Sequence, residues 1–300
     1  MRIIFCSDPW DINRPDSMYE LEAMAARGTG LDYSLISFES LVEQQNANKA
    51  VRRVEQSANQ ELGIYRGWML RPEAYERLYA ALADRGIMLI NTPPAYKLCH
   101  YLPASYEAIE AYTPQSTWLT TTTNVSMDAV IDVLQPFGDK AVIVKDFVKS
   151  RKHEWYEACY VPSAADRQVV ERVVTRFLEL QGEDLNEGLV FREFIEFEPL
   201  TTHSKSGMPL TREYRLFFLA GSMIFSTEYW EEGDYSGQQP PFDVFAKVAQ
   251  NVQSRFFTMD IAKKVDGGWM VVELGDGQVA GLPSRADVRT FYQALAQRAV

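Results

Sequence analysis

The sequence predicts an α/β fold that becomes α+β in its C-terminal part, with a parallel α/β domain first and antiparallel sheet after it. Two observations support this prediction. Short apolar segments alternate with helical segments over residues 1–113, which is the order that builds a parallel sheet. Strand-like segments joined by turn residues dominate residues 186–300, which is typical of hairpins. Residues 114–185 form a small mixed module between the two.

The first domain opens on a buried strand and then alternates helix and strand. Pro72 is well placed in the first turn of a helix, and Gly86 introduces an apolar strand. The predicted strands are Arg2–Cys6, Leu31–Phe38, Gly63–Met69 and Ile87–Ile90, and the predicted helices are Ser17–Ala26 and Pro72–Asp84.

The middle module has fewer regular patterns. Two short helices, Ala95–Tyr101 and Ala104–Tyr112, lead into it. We expect a helix over Met127–Leu134 and a strand over Lys140–Lys145. From Ser163 onward valine, phenylalanine and leucine recur at helical spacing, so this segment is predicted to be a helix packed on a sheet.

The final third is predicted to be mostly strand. Two turns, Ala220-Gly221 and Asp266-Gly267-Gly268, supply hairpin connections. A closing helix is expected over Ala286–Ala299. The predicted strands are Leu189–Phe197, Tyr214–Leu219, Met223–Glu228, Phe256–Lys263 and Trp269–Leu274.

Composition and charge exclude several classes of protein. Of the 300 residues 46% are hydrophobic, yet no run approaches the roughly 18 apolar residues that span a bilayer. We therefore expect a cytoplasmic protein without a membrane partner. The formal net charge of −11 argues against a general nucleic-acid surface, since phosphate backbones favour a broad basic face. Any phosphate site must be local.

A basic segment follows the strand of the middle module. Residues 145–153 carry four cations and one carboxylate. Lys145 ends an apolar strand, where its burial without an anionic partner would be unfavourable, and Lys149 lies in the loop that follows. Both are candidate polyphosphate ligands. The alternative is a solvated basic loop.

The segment Val190–Pro199 is a candidate nucleotide hinge. Backbone groups of Glu193, Phe194 and Ile195 are placed to meet an adenine edge, with apolar side chains covering its faces. Glu198 is then a candidate ligand for ribose hydroxyls. Strand pairing alone is the alternative explanation of the pattern.

A single arginine begins the apolar part of the strand Tyr214–Leu219. A rigidly held guanidinium at Arg215 suits bidentate contact with a phosphate or carboxylate. The alternative is a structural salt bridge with Glu213, Glu228 or Glu273.

Two carboxylates flank the last hairpin. Closure at Asp266-Gly267-Gly268 would bring Asp260 and Glu273 onto adjacent strands, where they would repel each other without a cation between them. Mg²⁺ prefers a few carboxylates together with substrate oxygens, so these two residues are candidate metal ligands. The alternative is a pair of exposed acids at hairpin ends.

Taken in this order, the elements resemble the ATP-grasp superfamily over about residues 117–283. The resemblance implies a pre-ATP-grasp domain over 1–113, a small ATP-grasp subdomain over 114–185, and a C-terminal subdomain with a metal-binding hairpin over 186–300. It implies that Lys145 contacts the α and β phosphates, that Glu193–Ile195 is the adenine linker, and that Arg215 faces the transferred phosphate. Asp260 and Glu273 would hold the metal.

The chain departs from the family pattern at two places. The family commonly ends in Glu-x-Asn, whereas Gly275 stands here at the asparagine position, which makes Asp276 the candidate substitute ligand. The phosphate-covering loop is basic and not Gly-rich. With the paired Lys263-Lys264, these features resemble the R2K branch of ATP-grasp proteins, named for an arginine and two lysines.

The resemblance implies an ADP-forming carboxylate–amine ligase that uses ATP and Mg²⁺. A carboxylate, from a small molecule or a peptide end, would be activated as an acylphosphate and passed to an amine. Arg215 and Lys263 are the candidate catalytic residues. The alternatives are a small-molecule kinase on the same fold and a non-catalytic nucleotide-binding protein, and a homodimer is a further expectation.

Overall fold

A computed structural model describes residues 1–205, 207–237 and 239–298. Within these ranges it contains three four-stranded sheets and one two-stranded sheet. The predicted fold class is confirmed, because the first sheet is parallel and the later ones are antiparallel. No helix in the described ranges combines the length and apolar character needed to cross a membrane.

The N-terminal sheet has the strand order β2-β1-β3-β4 and is parallel throughout. Its strands are buried and rich in aliphatic and aromatic residues, as expected for a sheet covered by helices. The strands are β1 (Arg2–Cys6), β2 (Asp32–Ile36), β3 (Glu61–Arg66) and β4 (Ile87–Leu89). The helices are α1 (Glu20–Gly28), α2 (Phe38–Val42), α3 (Ala47–Ala50), α4 (Pro72–Ala83), α5 (Pro93–His100) and α6 (Leu102–Ile109).

The middle sheet is antiparallel, with the order β5-β8-β6-β7. Its strands are β5 (Ser116–Thr120), β6 (Val142–Asp146), β7 (Tyr160–Val161) and β8 (Gly188–Glu193). The accompanying helices are α7 (Met127–Leu134), α8 (Trp155–Ala158) and α9 (Arg167–Gln181). Because β8 pairs with β5 and β6, this sheet continues to Glu193, beyond the predicted module boundary at residue 185.

The C-terminal sheet has the order β12-β11-β13-β14, with every neighbour antiparallel. Its strands are β11 (Glu213–Leu219), β12 (Ser222–Glu228), β13 (Phe256–Lys263) and β14 (Trp269–Asp276). A separate hairpin pairs β9 (Pro199–Thr202) with β10 (Pro209–Thr211), and the helices are α10 (Phe242–Ala249) and α11 (Val288–Gln297). Ala299, the last residue of the predicted closing helix, lies outside the described residues.

The first and last parts of the chain share one core. Helix α11 packs against α1, and apolar residues of β1, β11 and α11 belong to the same buried cluster. Inside it Arg66 forms a bidentate bond with Glu22, with both N–O distances 2.8 Å, and the Tyr292 hydroxyl donates to the same carboxylate at 2.8 Å. The N-terminal sheet is thus fixed to the strands that carry the candidate site.

Candidate functional site

A cleft of about 230 Å³ lies between the middle sheet and the C-terminal sheet. Charged side chains reach it from β6 and β8 of the middle sheet and from β11, β13 and β14 of the C-terminal sheet. The N-terminal domain closes it through α5 and α6. The residues predicted from sequence that line it are Lys145, Lys149, Arg215, Asp260, Glu273 and Asp276, whereas Glu193, Phe194, Ile195, Glu198 and Lys263 do not.

Strand register brings the two predicted metal ligands together. Asp260 on β13 is paired with Glu273 on β14, as the hairpin prediction required, so their Cα atoms are about 5 Å apart. On the other side of β13, Asp260 is paired with Arg215 of β11. Paired residues in neighbouring strands point to the same face, so the three side chains form a row across the sheet.

Arg215 uses Asp260 as its partner. Its Nε and Nη2 atoms donate to the two carboxylate oxygens of Asp260 at 2.8 and 2.7 Å, and Nη1 donates to the Gly281 carbonyl at 2.9 Å. Burial disfavours the charged guanidinium, but the adjacent Asp260 carboxylate outweighs it and raises the pKa of Arg215. The salt-bridge alternative named three glutamates, and the structure shows an aspartate instead.

Glu273 has a different environment from its neighbour. Its carboxylate forms no hydrogen bond or ion pair with the described residues. Burial alone would raise its pKa, but the positive charges of Lys145, Lys152 and Arg215 hold the pKa below its ordinary value. Burial raises the pKa of Asp260, with Arg215 opposing it. The carboxylates of Asp260 and Glu273 lie on adjacent strands, and the oxygens of Glu273 have no donor among the described residues. Hard oxygen ligands of this kind suit a Mg²⁺ ion.

Asp276 lines the cleft but is not part of this row. It is the last residue of β14, three positions beyond Glu273, so strand alternation directs the two side chains to opposite faces. Its carboxylate accepts bonds from the Asn91 side chain at 2.6 Å and from the backbone N–H of Gln278 at 2.9 Å. Burial raises its pKa to about 7, with these bonds opposing. Within the described residues no three acidic, histidine or cysteine side chains form a metal-binding group, so the predicted third ligand is not assembled.

Lys145 is the second-last residue of β6 and lies inside the cleft. It is 8% exposed, and its Nζ atom donates to the Val148 carbonyl at 3.0 Å. Burial lowers the pKa of its ammonium group, and the negative charge of Glu273 opposes this. The exposed Lys149 lies at the cleft edge on the loop that follows. Both lysines therefore lie where the sequence predicted cations for a polyphosphate.

Arg192 on β8 is a cleft residue that the sequence reasoning did not select. It is buried, and its Nη2 atom donates to the Thr113 hydroxyl at 2.6 Å and to the Val271 carbonyl at 3.0 Å. Its Nε atom is buried without a partner among the described residues. Burial lowers the pKa of Arg192 to about 10, with Glu273 opposing. Arg192 is a charged residue inside an apolar strand, and the same signal identified Lys145 in the sequence.

Glu213 is a second residue that was missed. It lies two positions before Arg215 on β11, hence on the cleft face of the sheet. Burial raises the pKa of its carboxyl to about 7, and the hydrogen bond from the Thr211 hydroxyl opposes this. A carboxyl group that titrates near neutrality beside charged cleft residues is suited to holding or releasing a proton.

The predicted hinge follows β8. Glu193 and Phe194 donate their backbone N–H groups to Gln115 and Ala141 carbonyls at 2.8 and 2.9 Å. In the described chain the Ile195 N–H has no such acceptor, so it remains able to meet a ligand. The Phe194 ring lies edge-to-face against Tyr160, with centroids 5.1 Å apart. An aromatic wall therefore adjoins the hinge.

Glu198 and Lys263 contact each other. Lys263 Nζ lies 2.7 Å from one carboxylate oxygen of Glu198, and Arg212 Nε lies 2.7 Å from the other. The hydrogen bond from Lys263 is the main cause that lowers the pKa of Glu198. A ribose contact by Glu198, or substrate contact by Lys263, would require these ion pairs to open or be shared.

The sequence matches a known family over more than half of its length. Residues 136–295 fit the family described as "ATP-grasp domain, R2K clade family 3". This range contains Lys145, Arg192, Arg215, Asp260 and Glu273. No curated protein matches the chain.

Solved structures resemble the whole chain. A RimK domain ATP-grasp protein from Sphaerobacter thermophilus DSM 20745 aligns with a TM-score of 0.61 at 14% identity, covering 99% of this chain and 98% of that one. D-cycloserine synthetase DcsG aligns with a TM-score of 0.58 at 15% identity, covering 100% of both chains. D-alanyl-alanine synthetase A from Vibrio cholerae O1 biovar eltor aligns with a TM-score of 0.58 at 14% identity, covering 100% of this chain and 97% of that one. At these low sequence identities, the structural alignments show that the chains share a fold.

Proposed function

The chain belongs to family 3 of the R2K clade of ATP-grasp domains, and from that premise we propose that it is an ATP-dependent ligase joining a carboxylate to an amine. One observation carries the proposal. Asp260 and Glu273 are paired in a cleft that also contains Lys145, Arg192 and Arg215. Two acidic side chains beside three cations suit a metal–polyphosphate group, in which both signs of charge need partners.

The cations bind and orient the triphosphate. Lys145, at the end of β6, supplies a point charge to the α and β phosphates, and the loop carrying Lys149 covers them. Arg215 is held by Asp260 with its guanidinium plane fixed, which suits stabilisation of charge on the transferred phosphoryl group. Asp260 and Glu273 would hold Mg²⁺, which neutralises charge on the phosphate oxygens when bound.

The reaction has two steps. A substrate carboxylate oxygen attacks the γ-phosphorus, the bond from that phosphorus to the bridging oxygen breaks, and ADP leaves. The amine then attacks the acyl carbon, and the C–O bond to phosphate breaks to release inorganic phosphate and the amide. Positioning and charge neutralisation are the protein's main contributions, so no protein nucleophile is needed. Glu213, which shares a strand face with Arg215 and has a raised pKa, is our candidate to accept the proton that the amine loses.

We assign the nucleoside end of ATP to the hinge after β8, which lies outside the residues that line the cleft. The free N–H of Ile195 is oriented by the engaged N–H groups of Glu193 and Phe194 and meets the adenine edge. Glu198 binds ribose hydroxyls through an oxygen it shares with Lys263 or Arg212. Lys263 alternates between its ion pair with Glu198 and a contact with the substrate.

Product analysis with Mg²⁺-ATP tests the ligase assignment. Pools of carboxylates and of amines are offered separately and together, while ADP, phosphate and new masses are followed. We expect amide and free phosphate only when both pools are present, and loss of product in Arg215→Met. Asp266→Asn, which changes an exposed acid in the turn between β13 and β14, should behave as the wild type. Phosphorylated acceptors without free phosphate would identify a kinase and contradict the proposal.

A further inference from the structure

A second cavity of about 520 Å³ adjoins the cleft on the side of the N-terminal domain. It is bounded by α4, by the segment before it, and by the loops after β6 and α9. Met69, His100, Val148 and Lys149 line both this cavity and the cleft. A molecule seated in the second cavity can therefore reach the cleft directly.

Cations outnumber acids around this cavity. Arg71, Arg77 and Lys149 line it together with Glu73 and Asp184. Arg71 forms an ion pair with Asp184 at 2.7 Å, and both side chains are exposed. This pair neutralises itself, which leaves two cations and one acid facing the space. The excess is notable in a chain whose formal net charge is −11.

Arg77 has no partner for its charge in the described part of the chain. Its Nε atom is buried and without a hydrogen bond, and its guanidinium lies in no ion pair there. Glu73 is four residues earlier on the same helix, a spacing that allows pairing, yet the two side chains are not within ion-pair distance. A buried N–H group without an acceptor is unfavourable, so an anion entering the cavity would satisfy it.

His100 lies between the two cavities. Its Nε2 atom is buried and has no partner among the described residues, and its ring is edge-to-face with Tyr96 at 4.7 Å. Burial lowers the pKa of His100 to about 4, so the ring is neutral at physiological pH. A neutral imidazole can donate or accept a hydrogen bond from a ligand that passes from one cavity to the other.

The remaining wall is apolar. Phe38, Val42, Leu70 and Tyr101 line it, with Tyr96 at its base. Apolar walls with a few convergent polar groups are typical of small-molecule sites. A guanidinium without a partner among the described residues, in the same lining as aromatic and aliphatic side chains, favours an organic anion with an apolar body over a bare inorganic ion.

We propose that this second cavity binds the anionic, non-reacting end of one of the two substrates, with Arg77 as its guanidinium ligand. The inference rests on the proposed function, because the cleft is taken to hold the reacting end beside the phosphates. The substrate class is an organic acid with an aromatic or branched apolar body and an anionic group, carboxylate or phosphate, besides the group that reacts.

Calorimetric titration of the full chain saturated with Mg²⁺-ADP tests the site. The probe is phenyl phosphate, and phenol is its uncharged counterpart. We expect phenyl phosphate to bind the wild type and Arg77→Gln to weaken binding by about tenfold or more, with Arg77→Lys intermediate because a lysine keeps the charge but loses the fork. Arg289→Gln, an exposed arginine on α11, should leave binding unchanged.

Three outcomes would overturn the inference: no binding of phenyl phosphate to the wild type, equal binding by Arg77→Gln, or equal binding of phenol. If Arg77→Gln fails to fold, equal binding by Arg77→Lys and the wild type has the same meaning. A titration without nucleotide separates the two proposals. Arg77-dependent binding of the probe to a protein that binds no Mg²⁺-ADP would support the second cavity and contradict the proposed ligase.

Discussion

At the scale of single residues, the site depends on two facing carboxylates whose pKa values move in opposite directions. Asp260 is buried beside Arg215, and burial raises its pKa. Glu273 faces Lys145 and other cations, which lower its pKa despite burial. Its negative charge stands without a protein donor among the described residues, so it is the more available oxygen ligand. The sequence predicted the pair but could not predict this difference, which arises from side chains of two separate sheets.

Glu213 provides a test by pH. Its folded pKa of about 7 lies above the ordinary value, so the stability it contributes is complete at low pH and is lost as pH rises through the folded pKa. Glu213→Gln mimics the protonated carboxyl. We expect the variant to match the wild type at pH 4, below the ordinary pKa of a glutamate, and to exceed it at pH 8 by roughly 1–2 kcal/mol, allowing for partial exposure. Urea unfolding at both pH values measures this, and an identical pH dependence in the two proteins would refute it.

At the scale of elements, the loop after β6 is held by one carboxylate. Asp146 is fully buried, accepts the backbone N–H of Val148 at 2.7 Å, and accepts the side chains of Gln181 and Asn186 at 2.7 and 2.8 Å. It therefore fixes the path of the chain between Lys145 and the covering loop. Packing of α9 and β8 is thereby connected to the phosphate end of the site.

Asp146→Asn tests this connection. The amide nitrogen of the asparagine would face the N–H groups that now donate to Asp146, and a buried polar group would be left unsatisfied. We therefore expect the free energy of unfolding to fall by about 2–3 kcal/mol and nucleotide affinity to fall as well. Asp139→Asn, an exposed acid just before the strand, should change neither. The measurements are thermal unfolding and ADP titration. Unchanged affinity in a destabilised Asp146→Asn would show that the carboxylate serves the fold alone.

Elements with a strong local pattern were predicted well. The bounds of Met127–Leu134 and Phe256–Lys263 agree with the structure, since the first has a clear helical period and the second is a buried strand bounded by turns. Ser116–Thr120 was not predicted as a strand, because the short segment has no clear pattern of its own and forms a strand through pairing with β8. The helix Phe242–Ala249 was missed as well.

At the scale of the whole molecule, a buried network joins the two ends of the chain to the cleft. Arg66 binds Glu22, and its Nη1 atom also donates to the carbonyls of Gly277 and Ala280 at 2.6 and 2.8 Å. The same segment offers Gly281 to Arg215. Contacts over such sequence separations leave no local pattern. For the same reason the sequence indicated Asp260 and Glu273 on the β13–β14 hairpin, but it did not indicate His100 in the cleft or Arg77 in the second cavity.

Arg66→Met tests the network. Removing one partner of a buried pair leaves Glu22 uncompensated, so we expect a loss of about 3–5 kcal/mol in the free energy of unfolding. The double variant with Glu22→Leu should recover part of the loss. Arg167→Met, which removes exposed ion pairs with Asp128 and Glu171, should lower the free energy of unfolding far less than Arg66→Met does. Equal effects of the two single variants, measured by denaturant unfolding, would contradict the assignment.

The central claim is that the β13–β14 hairpin holds a metal–nucleotide group, and Mg²⁺-dependent ADP binding tests it most directly. Calorimetry is run on the wild type, on Glu273→Gln, and on Asp266→Asn as the matched hairpin control. We expect Mg²⁺ to tighten ADP binding by about tenfold or more in the wild type and the control. In Glu273→Gln the Mg²⁺-dependent increase in ADP affinity should disappear. Binding of ADP without Mg²⁺ should be retained, because the substitution removes a negative charge that repels phosphate. An undiminished Mg²⁺ effect in Glu273→Gln would contradict the claim.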